Sequence, residues 1–117
     1  MLAGGGALQS SNASAETSLF VSVIPDLPLM PGLKEDVSLG VVFETSSGRI
    51  AEAYASGVGS VRAVGDFYTA SLPQLGWHIE TRVRYRREGE ILSLDIALLP
   101  DQPGSVGVGY KLVPASP

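Results

Sequence analysis

The eleven residues Phe67-Tyr68-Thr69-Ala70-Ser71-Leu72-Pro73-Gln74-Leu75-Gly76-Trp77 constrain the fold of this chain more than any other stretch. Upstream and through it, Val61, Val64, Tyr68 and Leu72 recur at three- and four-residue steps, the spacing of one helix face. Ser60 stands where a side-chain oxygen can accept a backbone N–H of the first turn. Pro73 donates no backbone hydrogen bond and disfavours helical geometry at Leu72, so the helix is predicted to end near Ser71 or Leu72. Gly76 completes the turn and Trp77 opens a strand, with Leu75 and Trp77 expected to plug the end of the core.

Strand signals flank this helix on both sides. Val41 to Thr45 and Arg49 to Ala55 bracket Ser46-Ser47-Gly48, a hairpin pattern with glycine in the turn. Ala51, Ala53 and Ala55 make a row of small side chains on which a helix can sit closely, and Gly57-Val58-Gly59 is expected to break the strand. Downstream, a two-residue turn at Glu88-Gly89 makes paired residue numbers sum to 177. This sets Tyr85 opposite Leu92, Val83 opposite Leu94, Thr81 opposite Ile96 and Ile79 opposite Leu98. The other face then pairs Arg82 with Asp95 and Arg84 with Ser93. A last strand alternates Val106, Val108, Tyr110 and Leu112 with Gly107, Gly109 and Lys111. The reading is an α+β domain: a mostly antiparallel five-stranded sheet carrying one helix on its apolar face, two layers, in the order β-β-α-β-β-β over residues 37–114.

An arm over residues 16–36 precedes this domain, and residues 115–117 form a tail. In the arm, Pro25, Pro28 and Pro31 fall three apart, as in a polyproline II helix, leaving Leu27, Met30 and Leu33 on another side. That oily edge is expected to pack on the domain's own surface, because Leu and Met are interior-seeking; a ligand for an aromatic-lined groove is the alternative. Residues 1–15 read as an export-signal remnant: Ala13-Ser14-Ala15 before Glu16 fits a signal-peptidase site after the Gly/Ala/Leu-rich run Leu2 to Leu8. A disordered cytoplasmic tail is the alternative. The eleven-residue stretch, with the arm from Ile24 to Leu33, resembles a group of small uncharacterised exported bacterial proteins in which an F-Y-x-x-x-L-P-x-L-G-W segment joins a helix to an antiparallel sheet. The resemblance spans roughly residues 24–113 and implies that fold and a periplasmic or secreted location. It implies no activity.

Composition narrows the function classes. With 44% apolar residues in 117, the chain lies outside the regime of intrinsic disorder and fits one domain. Its net charge of −4 argues against general nucleic-acid affinity, and its apolar runs are far too short for a transmembrane helix. Without cysteine there is no disulfide and no thiol chemistry, and the lone His78 cannot build a multi-histidine metal site. No G-x-S-x-G elbow surrounds a serine, and Glu88 and Glu90 straddle a solvated turn. No catalytic residue, metal ligand or cofactor is therefore assigned.

Two constellations remain. Gly59, Ser60 and Arg62 at the helix start could hold an anion, or be an ordinary capped turn. Arg82, Arg84 and Arg86, with His78 on the same side and Arg87 beyond, form a basic stripe next to the bare backbone of Gly107 and Gly109. This face is expected to meet an envelope protein, an anionic surface ligand or another copy at the sheet edge; a solvated sheet face and twist-accommodating glycines are the plainer reading. The expected role is a non-enzymatic binding or assembly module of the bacterial cell envelope. The alternative is a small hydrolase or isomerase with a cleft near Trp77 and His78.

Overall fold

The computed structural model describes residues 19–115, so the expectations for residues 1–15 and for the end of the chain lie outside it. The strands are β1 (Phe20–Val21), β2 (Ile24–Pro28), β3 (Leu33–Glu35), β4 (Val41–Thr45), β5 (Gly48–Val58), β6 (His78–Thr81), β7 (Arg84–Arg87), β8 (Glu90–Leu98) and β9 (Ser105–Pro114); one helix, α1 (Val61–Ser71), separates β5 from β6. The fold is α+β with one helix and antiparallel sheets. The described residues form nine strands in two sheets where five in one were expected: β1 and β2 form a hairpin, and the other seven run β3-β5-β9-β8-β7-β6 with β4 also on β5. β3 pairs with Ala55–Gly57 and β4 with Gly48–Glu52, so the two lie end to end along one edge of β5, joined by a 3-10 turn at Val37–Leu39.

Two differences account for the extra strands. The arm does not stay in a polyproline conformation; its residues 20–35 become β1, β2 and β3. Val21, Ile24 and Leu27 are fully buried and Leu33 nearly so, so the oily edge does pack on its own core. Burial of these side chains gives the segment a sheet-like backbone, and a short peripheral hairpin can absorb the missing proline N–H groups. The second difference is that the strand expected from Trp77 through Arg86 folds back on itself. The 177 register holds for Arg84↔Ser93 and Tyr85↔Leu92, whereas Ile79 pairs with Tyr85 and Thr81 with Arg84. The Thr81 hydroxyl accepts the Val83 N–H at 3.2 Å, a side-chain-made turn.

The core lies between one face of the large sheet and a cover of α1 plus the β1–β2 hairpin. Ala51, Ala53 and Ala55 on β5, Leu92 and Leu94 on β8, and Val106, Val108, Tyr110 and Leu112 on β9 meet Val64, Tyr68 and Leu72 of α1 and Val21, Ile24 and Leu27 of the hairpin. Tyr68 ties the layers together: its hydroxyl donates to the Pro28 carbonyl at 2.8 Å and lies 2.8 Å from the Tyr110 hydroxyl. Ser60 caps α1, its Oγ accepting from the Ala63 N–H at 3.0 Å. The helix ends at Ser71, a 3-10 turn covers Leu72–Leu75, and Gly76 closes it at φ 92°, a left-handed conformation that favours glycine. Trp77 is then buried, 2% exposed; Leu75, expected beside it, is 40% exposed. β5 runs through Gly57 to Val58, past the expected break.

Candidate functional site

Alternation along the strands leaves the second face of the large sheet without a covering layer among the described residues. Cross-strand pairing orders its side chains into rows. One row runs Val41, Glu52, Lys111, Ser93, Arg84 across five strands. The next holds Phe43 beside Ile50, then Val113, Ile91, Arg86 and His78. Both rows pass from apolar at β4 to charged at β7, so the open face has an oily end and an ionic end.

At the ionic end the arginines expected as one stripe go to three places. Arg84 and Arg86 stay on the open face, where each donates through Nε to the Glu80 carboxylate, at 2.9 and 2.7 Å. These bonds, Arg86's the larger influence, hold the Glu80 carboxyl below its ordinary range. Arg82 sits in the β6–β7 turn, reaches α1 and pairs with Asp66 at 2.9 Å. It crosses Gly65, where a Cβ would stand 2.5 Å from the Arg82 guanidinium. The expected Arg82–Asp95 pair is not formed. Arg87 lies over the Trp77 ring at 4.3 Å, pairs with Asp26 at 2.6 Å and donates to the Leu75 carbonyl. Its hydrogen bond to Asp26 lowers that carboxyl's pKa.

The glycines of β9 differ from each other. Gly107 is buried: a Cβ there would collide with the Tyr54 side chain, so the backbone expected to be bare is covered. Gly109 is half-buried and floors an open depression of about 430 Å³ walled by Leu39, Glu52, Tyr54, Ser93, Asp95 and Lys111. At the start of α1, the Ser60 oxygen is taken by the cap. Arg62 stands out in solvent, 3.9 Å from Asp66, whose carboxylate opposes an anion beside Gly59. Trp77 is in the core, and His78 is exposed beside Arg86. Among the described residues no group of three or more His, Cys, Asp and Glu is placed to hold a metal, and no helix is long and apolar enough to cross a membrane.

The feature that sequence reasoning missed is the oily end. Every residue of β4 is exposed, including Val41 at 46%, Val42 at 49% and Phe43 at 52%. Val37 and Leu39 in the preceding turn are exposed as well. β4 pairs with β5 alone, so its outer backbone edge has no strand partner among the described residues. The opposite edge of the sheet, β6, is built differently: four residues long, interrupted in register between Ile79 and Thr81, and carrying Glu80 at its centre. Short length, irregularity and charge are the devices that keep an edge from pairing with another chain. β4 has only Glu44, which alternation directs away from the face of Val41 and Phe43.

Comparisons of the chain with protein-family models, with curated proteins and with solved structures find no match.

Proposed function

We propose that this domain is a non-enzymatic binding and assembly module that takes up an extended chain segment along β4. The observation that carries it is the exposure of Val41, Val42 and Phe43 on an unguarded sheet edge. An added strand gains main-chain hydrogen bonds from the edge, and its alternate side chains cover Val41 and Phe43. The arginine-and-glycine face is not the docking element in this reading. Glu80 offsets half the charge of Arg84 and Arg86, and Tyr54 covers Gly107. Action in the bacterial cell envelope, periplasmic or secreted, belongs to the same proposal; its support is Ala13-Ser14-Ala15 and the resemblance carried by the helix-to-strand segment.

Selection of displayed random peptides on the immobilised domain tests the reading. Binders are expected to alternate apolar with polar residues, to lose binding on Phe43→Lys and to keep it on Arg84→Glu with Arg86→Glu. Binders indifferent to Phe43→Lys but lost on the double charge reversal would restore the arginine face and overturn β4.

A further inference from the structure

We infer that the strand seated on β4 is β4 of a second copy, paired antiparallel about a twofold axis through Phe43; this rests on the reading that β4 accepts a strand. Three observations select this occupant. The first is symmetry. β4 has five residues with Phe43 at its centre, so an axis there pairs all of them: Val41 with the partner's Thr45, Val42 with the partner's Glu44, and Phe43 with its own copy. An axis normal to the sheet keeps odd-numbered residues on the same face. The apolar row Phe43, Ile50, Val113, Ile91 therefore continues into the same row of the second copy, with two phenyl rings at the seam.

The second observation is charge. Glu44 falls opposite Val42 of the other copy, so no carboxylate directly faces another, and Arg49 stands across the ladder from Glu44 within each copy. Arg49 is itself paired with Glu90 at 3.0 Å, so β4 brings a single carboxylate, Glu44, to the seam from each copy. The third is closure. With β6 guarded, and with β3, which shares this side of β5, only three residues long and carrying Lys34 and Glu35, β4 is the longest apolar open edge of this sheet among the described residues, and pairing it with itself ends the assembly at two instead of propagating a fibre. Five residues a side supply little of the roughly 1,200–2,000 Å² of a standard interface, so the dimer is weak and its population rises with protein concentration.

The chain has no cysteine, so single-cysteine variants report this geometry directly. Directly opposed strand residues have Cα atoms about 4.5–5.5 Å apart, inside the range of about 4.4–6.8 Å that a disulfide bridges. Under mild oxidation Phe43→Cys is expected to form a covalent dimer, whereas Ile79→Cys on β6 and Val41→Cys alone are not. Mixing Val41→Cys with Thr45→Cys is expected to give a linked heterodimer, a readout that retains Phe43. Sedimentation of the unaltered protein is expected to show a dimer that grows with concentration and disappears in Phe43→Lys, with the circular dichroism spectrum unchanged.

A monomer at every concentration, with Phe43→Cys linking no faster than Ile79→Cys, overturns self-pairing. If display-selected peptides still bind through β4 in that case, the strand-accepting edge stands and its occupant is foreign; if they do not, both readings fall. A dimer that survives Phe43→Lys overturns the placement at β4, and linking by Val41→Cys alone overturns the axis at Phe43.

Discussion

Tyr68 and Trp77 show how single side chains hold the layers of this domain. Burial pushes the Tyr68 hydroxyl up to about 12, against a smaller opposing effect of its bond to Tyr110, and burial raises Tyr110 in the same direction. Both tyrosines are therefore harder to ionise folded than unfolded. Their contribution to stability is fully present below about pH 10, the pKa of an exposed tyrosine, and is lost as pH rises from there through the folded values. Melting temperatures measured across pH 8 to pH 12 are expected to fall steeply above about pH 10. Tyr68→Phe should remove part of that slope; a melting temperature independent of pH in this window contradicts the assignment. For Trp77, held in the core under the Arg87 guanidinium, replacement by alanine is expected to cost about 3–5 kcal/mol in denaturant unfolding. An unchanged midpoint would place the indole outside the core. The burial of Trp77 is legible in the sequence because Pro73 and Gly76 fix where the helix ends and the chain reverses. The exposure of Leu75 is not, since the 3-10 turn that rotates it outward differs from a helical end by a single hydrogen-bond step.

At the scale of elements, α1 is the best-specified part. Its apolar spacing, the Ser60 cap and Pro73 agree on both boundaries, as expected where local signals and fold are consistent. Ser60→Ala is expected to lower unfolding free energy by about 0.5–2 kcal/mol, since the Ala63 N–H loses its acceptor; a stability equal to the parent protein would show that the cap contributes nothing. The β7–β8 hairpin was equally legible, because glycine at the turn and alternating apolar residues fix one register. The β6–β7 turn was not. Thr81-Arg82-Val83 contains no glycine or proline; the reversal is made by a threonine hydroxyl and by an arginine that reaches a helix carboxylate sixteen residues earlier in the chain. Such a partner is visible only once the helix is laid on the sheet. In the arm, the three-residue period of the prolines and the burial of Leu27 favoured different backbones, and burial decided.

Across the whole molecule, the same apolar run explains both what the sequence showed and what it hid. Val41-Val42-Phe43 reads as a core strand, because apolar residues usually find the interior. It lies at an edge because strand order is set by how the chain winds, with β9 returning beside β5 and leaving β4 outside; no residue type encodes that directly. The ionic end of the open face is legible in Arg84 and Arg86, with Glu80 and Asp95 as available partners; Glu80 is the one that takes both. These two ends respond oppositely to salt. An apolar seam between acidic copies is expected to strengthen from low to moderate ionic strength as long-range repulsion between like net charges is screened, whereas docking on arginines would weaken. Sedimentation at two salt concentrations separates them, and dissociation by salt would contradict the apolar seam. The claim that β4 is a strand-accepting edge is tested most directly by amide hydrogen exchange, residue by residue, in dilute and concentrated protein. The account predicts that β4 amides not bonded to β5 exchange freely when dilute and gain protection on concentration, while β6 amides do not change. Equal exchange of the β4 amides at both concentrations, or protection gained at β6 instead, would contradict it.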